Sequence, residues 1–133
     1  MNDHQRKTAQ ACLDGAEHNA MTFPQIVGTL IEAGFESYAI DFRRARATYY
    51  LPDGRSLDLE THRITTPIAP ELDSARMQAA VREAQQQVDG YTYTGFCEKA
   101  AAAGCTGYVV SFLGRRAVYL GRTAQTHVET FPD

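Results

Sequence analysis

Nowhere in this chain do apolar residues run on for the roughly 18 positions a membrane-spanning helix needs, so no membrane association is expected. Tryptophan is absent, and the 3 cysteines, Cys12, Cys97 and Cys105, are an odd number without a CxxC spacing. That usage points to reduced thiols rather than to a disulfide framework or a zinc module. Neither acidic nor basic residues strongly predominate. The 13 Lys and Arg against 16 Asp and Glu leave a formal net charge of −3, so no global basic field draws in phosphate backbones. Low-complexity tracts and HExxH-type spacings do not occur. The N-terminal segment carries Asp3, His4, Arg6, Lys7, Asp14 and Glu17 without an apolar stretch of signal-peptide length, and a cytoplasmic setting is expected.

What the chain does contain is a match to itself. Of its 133 residues, 44% are apolar, the material of one globular domain. Shifted by 70 positions without a gap, Thr22 meets Thr92, Ala33-Gly34 meets Ala103-Gly104, and Tyr38 meets Tyr108. Phe42 meets Phe112, Arg46-Ala47 meets Arg116-Ala117, and Tyr49 meets Tyr119, while Asp3, Arg6 and Ala9 meet Asp73, Arg76 and Ala79. These are eleven identities in 49 aligned pairs, where chance supplies roughly three. A unit this long, present twice, is not a solenoid, which needs about three short repeats. The expectation is a single domain over 1–133, with pseudo-repeats at 1–62 and 71–133 joined by a linker at 63–70.

Each copy reads as two helices followed by three strands. Apolar residues at helical spacing mark 3–20 and 71–88. Thr22-Phe-Pro-Gln25 is a capping box that opens a second helix, which Gly34 closes. Its counterpart runs from about Thr94 to Ala103 and ends at Gly104. The period then changes to two: Tyr38, Ile40 and Phe42 alternate with polar or small residues, Arg46–Leu51 follows, and Pro52-Asp53-Gly54 turns the chain into a strand with Leu57 and Leu59 inward. In the second copy the strands fall at Gly107–Leu113, Arg116–Leu120 and Gln125–Phe131. The expected fold is α+β, an internal duplication of a helix-helix-three-strand meander unit with about six antiparallel strands and helices packed on one face. Whether the meanders join into one sheet or face each other is left open by the pattern.

The strings Ala-Gly-Cys-Thr-Gly-Tyr-Val-Val at 103–110, Arg-Ala-Val-Tyr at 116–119 and His-Val-Glu-Thr-Phe-Pro at 127–132 resemble the YdfO-like family of small enterobacterial and prophage-associated proteins. These are a domain of unknown function, often labelled phage-envelope-like. The resemblance covers nearly the whole chain and implies a mixed α/β fold in a bacterial cytoplasm. It implies no catalytic residues.

Three constellations carry candidate chemistry. Paired Arg46/Arg116 and Tyr49/Tyr119 would wall a groove at the pseudo-twofold of a non-enzymatic binding or interaction module. The expected partner is a small anionic molecule, another protein or a second copy of the chain, with no cofactor or metal. A second, enzymatic reading is a small hydrolase or transferase using His127, Glu129 and Cys105. With the second loop one residue shorter, His127 and Glu129 correspond to Asp58 and Glu60, and those four would cluster; the plainer reading is a solvated sheet face. Cys105, after a helix C-terminus, and Cys97 read as small buried residues. The hairpin arginines Arg43, Arg44 and Arg115 could touch phosphates, but the net charge makes nucleic acid the weakest of the three readings.

Overall fold

In a computed structural model that describes residues 1–132, one six-stranded antiparallel sheet carries four helices on one face, an α+β fold. The elements are α1 (Asp3–Glu17), α2 (Phe23–Glu32), β1 (Ser37–Asp41), β2 (Arg46–Tyr50) and β3 (Ser56–Glu60), then α3 (Ser74–Gln86), α4 (Tyr93–Ala102), β4 (Cys105–Ser111), β5 (Arg116–Gly121) and β6 (Thr126–Thr130). Both meanders belong to the same sheet, ordered β3-β2-β1-β4-β5-β6.

Local chemistry explains the boundaries. Asn2 caps α1 by accepting from the Gln5 backbone N–H at 2.8 Å, while the Gln5 side chain accepts from the Asn2 N–H at 3.1 Å. Thr22 and Gln25 repeat this reciprocal box at α2, and Thr92 caps α4 through the Gly95 N–H. Gly34 and Gly104 follow α2 and α4 with φ of 101° and 96°. At Gly104 the left-handed backbone is matched by a close approach, because a Cβ there would collide with the Glu71 carbonyl oxygen.

The order helix-helix-strand-strand-strand thus occurs twice, and its details recur at the 70-residue spacing. Ala45 and Arg115 both take positive φ, 52° and 51°, in equivalent β-turns, and Gly54 and Ala124 do so at 91° and 67°. At the centre of the sheet β1 and β4 pair antiparallel with Ala39 opposite Val109, two residues that are themselves equivalent. A pseudo-twofold axis therefore crosses the sheet at this pair.

Strand alternation sends Tyr38, Ile40, Ala47 and Tyr49, with Tyr108, Val110, Ala117 and Tyr119, to the helix-covered face, where all are buried. The aromatic packing obeys the same axis. Tyr38 stacks near Tyr49 at 5.6 Å between ring centroids and Tyr108 near Tyr119 at 5.2 Å. Phe42 meets Tyr108 at 6.1 Å, and Phe112 meets Tyr38 at 6.0 Å. Such pairs contribute about 1 kcal/mol each beyond area burial. The connection from β3 to α3 lies across α4. It is held by backbone bonds from Ala69 to the Ala101 oxygen and from Asp73 to the Ala103 oxygen, and by Glu98, which accepts from the Thr65 and Thr66 N–H groups.

Candidate functional site

Between the helices and the sheet lies a cavity of about 420 Å³ over the pseudo-twofold. Six of the 7 tyrosines line it: Tyr38, Tyr49, Tyr91, Tyr93, Tyr108 and Tyr119. Its rim comes from the α1–α2 loop, the α3–α4 loop and the segment after β6, represented by Met21, Gln87 and Phe131. Asn19 ties the two loops together by accepting from the Tyr93 N–H at 2.9 Å, and Phe23 packs edge-on against Phe131.

The tyrosine hydroxyls are unequally satisfied. Those of Tyr93 and Tyr108 bond each other at 2.7 Å. Among the described residues the hydroxyls of Tyr38, Tyr49 and Tyr119 make no hydrogen bond, although these side chains are only 6%, 3% and 7% exposed. Yet the sole side-chain polar atom there that is both sealed and unpartnered is His62 Nε2. The three hydroxyls therefore keep accessible surface inside the molecule, and the cavity supplies it. Burial raises the pKa of each phenol well above its ordinary value, so all three are neutral groups able to donate or accept.

Symmetry fails at the sheet edges. Leu57 lies opposite Tyr49 and Leu59 opposite Ala47 on β3, whereas His127 lies opposite Tyr119 and Glu129 opposite Ala117 on β6. The polar pair thus occupies the places of two leucines on the helix-covered face. His127 Nε2 and Glu129 Oε1 are 2.7 Å apart, and Glu129 lines the cavity.

This pairing corrects the shortened-loop alignment. The strands Ser56–Glu60 and Thr126–Thr130 keep the ungapped spacing of 70, so His127 and Glu129 are not equivalent to Asp58 and Glu60. Asp58 and Glu60 face the open side on the opposite edge strand, about 24 Å away at the usual strand spacing. The four-residue cluster does not form. Among the described residues no group of three or more His, Cys, Asp and Glu could hold a metal ion.

The groove residues are also divided. Tyr49 and Tyr119 reach the cavity, but Arg46 and Arg116 stand three positions earlier on their strands and emerge on the open face, Arg46 opposite Asp41 and Glu60. Because β1 and β4 are antiparallel, the turns bearing Arg43-Arg44 and Arg115 lie at opposite ends of the sheet and make no continuous basic surface. Arg115 instead sits 5.6 Å from the Phe131 ring centroid. Cys105 is fully buried and donates to the Gly107 carbonyl at 3.2 Å, and burial pushes its thiol up to about 11, which suppresses the thiolate a nucleophile requires. Cys97 is buried likewise and pushed up to about 12.

Fold and cavity define a two-layer α+β protein with a tyrosine-lined chamber between its layers. Residues 12–128 match the family described as Protein of unknown function (DUF1398), and the chain belongs to that family. No curated protein matches the chain. Among the described residues no helix is long and apolar enough to cross a membrane.

Proposed function

We propose that this chain is a non-enzymatic binding module, one domain built from a duplicated ααβββ unit, that takes a small organic molecule into the chamber between its two halves. The observation that carries the reading is the set of three buried phenol hydroxyls without protein partners, facing one cavity. Because these hydroxyls keep accessible surface within the cavity, they are open to bond whatever occupies it. The volume, about 420 Å³, falls within the range of roughly 300–1,000 Å³ typical of ligand pockets, and the lining is apolar with a few convergent polar groups. Tyr49 and Tyr119 remain ligand-binding residues in this reading. Arg46 and Arg116, on the open face, are left to a protein partner or a second copy. The YdfO-like resemblance adds a bacterial, prophage-associated and cytoplasmic setting to the same proposal. The hydrolase alternative has less support, because Cys105 is sealed and His127 and Glu129 lack a nucleophile beside them.

A neutral apolar fluorophore, N-phenyl-1-naphthylamine, tests the module directly. One equivalent is expected to bind with enhanced emission. Ala16→Trp or Ala84→Trp, which fill the chamber from different helix pairs, are expected to weaken it at least about tenfold while the fold, checked by circular dichroism, persists. No binding, or binding unchanged in both filled variants, contradicts the proposal.

A further inference from the structure

The chamber has a charge as well as a shape. Glu129 is its one ionisable side chain with a formal charge, and no Lys, Arg or His is among the described residues that line it. Glu129 Oε1 is occupied by His127 Nε2 at 2.7 Å, which leaves Oε2 for another partner. With the imidazole neutral, that pair keeps its negative charge. The chamber that Glu129 lines is also lined by aromatic rings, whose negative faces attract cations. Tyr119 lies next to the Glu129 strand, Phe96 packs against Tyr119 at 6.4 Å, and Phe131 and Tyr91 close the rim side. Arg115 is exposed and lies 5.6 Å from the Phe131 ring centroid without lining the chamber.

The field inside agrees with this geometry. Burial is the leading cause that raises the Tyr49 phenol, and the carboxylates of Glu17 and Asp14 raise it further; Glu129 does the same to Tyr119.

We infer that the ligand is an organic cation, an alkyl- or arylammonium whose charge rests between Glu129 and the surrounding aromatic faces while its apolar part fills the space above Tyr38 and Tyr108. The inference rests on the binding-module reading and names its ligand class. An anion would enter a carboxylate-bearing, cation-free chamber at a Coulomb cost with nothing to offset its lost hydration. A neutral molecule would gain the apolar contacts without any attraction to the Glu129 carboxylate. A cation gains both, and the unpartnered phenol oxygens can accept from an ammonium N–H.

The experiment is displacement of N-phenyl-1-naphthylamine at about pH 8, above the ordinary imidazole range. The probes are benzyltrimethylammonium, its neutral carbon isostere neopentylbenzene, and benzenesulfonate. The cation is expected to bind roughly tenfold more tightly than the isostere, and the sulfonate more weakly than either. Glu129→Gln keeps an acceptor for His127 and is expected to erase the cation's advantage over the isostere. Equal or tighter binding of the isostere or sulfonate overturns the cation inference and leaves the binding module intact, as does dye binding that none of the three displaces. A protein that binds neither dye nor probes overturns both. Should Glu129→Gln fail to fold, the three-probe comparison on the unaltered protein still decides.

Discussion

Tyr38 and Tyr108 occupy equivalent places about the pseudo-twofold, yet only Tyr108 has a hydrogen-bond partner. The reason is a single substitution between the halves: the residue that pairs with Tyr108 is Tyr93, and the one 70 positions before it is Phe23, which has no hydroxyl and packs on Phe131 instead. Removing hydroxyls should therefore have unequal effects. Tyr108→Phe leaves the Tyr93 oxygen without its partner and is expected to cost about 1 kcal/mol. Tyr49→Phe and Tyr119→Phe delete groups that bond nothing in the protein and are expected to stay within about 0.5 kcal/mol of the parent or to stabilise it. Urea unfolding midpoints measure the difference. A loss for Tyr49→Phe as large as that for Tyr108→Phe would mean that its hydroxyl is not free.

At the level of elements, one carboxylate takes three of the hydrogen bonds that fasten the connection between the halves. Glu98 on α4 accepts from the Thr65 hydroxyl at 2.8 Å and from the Thr65 and Thr66 N–H groups at 3.0 and 2.9 Å. The hydrogen bonds from Thr66 and Thr65 favour the charged form and outweigh the opposing effect of burial, lowering its pKa from 4.5 to about 2. A depressed folded value means that the stabilisation is complete above the unfolded value and is lost as the pH falls through the folded one. Glu98→Gln is thus expected to melt about 4 °C below the parent at neutral pH, a figure reduced for the solvent around the carboxylate. The gap should narrow below pH 4.5 and close near pH 2. A gap that stays constant across that window would show that the carboxylate charge is not what holds the connection.

The same scale shows what the residues disclose beforehand. The Thr22–Gln25 box, the glycines after α2 and α4 and the Pro52-Asp53-Gly54 turn are local chemistry, so helix ends and strand order can be read directly. The opposite facing of Arg46 and Tyr49 was also legible, since positions three apart on a strand point to opposite sides. The phase of β6 was not. Thr126, Val128 and Thr130 are more apolar than His127 and Glu129, so polarity alone points the wrong face inward, and only pairing with β5 puts the His-Glu pair under the helices. The chamber was hidden for a related reason. Its volume depends on how far two helix hairpins stand from a shared sheet, and the six tyrosines that line it come from five separate elements and a loop.

In the whole molecule, a fold with near-twofold order encloses a site without it. The axis through Ala39 and Val109 sets matching tyrosines on the chamber floor. Glu129 and His127 then break the match on one side, replacing Leu59 and Leu57 and giving the space a direction. Open-face residues such as Val109, Val118 and Val128, which line up across β4, β5 and β6, lie on the far side of the sheet and have no part in this site. That separation allows a direct measurement of where a ligand goes. Ring and methyl resonances can be followed by NMR through a titration with benzyltrimethylammonium. The expected result is one saturable site that shifts Tyr38, Tyr49, Tyr119 and Met21 while Val118 and Val128 stay still. Shifts confined to the open-face valines, or none at saturating ligand, would contradict the assignment of the chamber as the binding site.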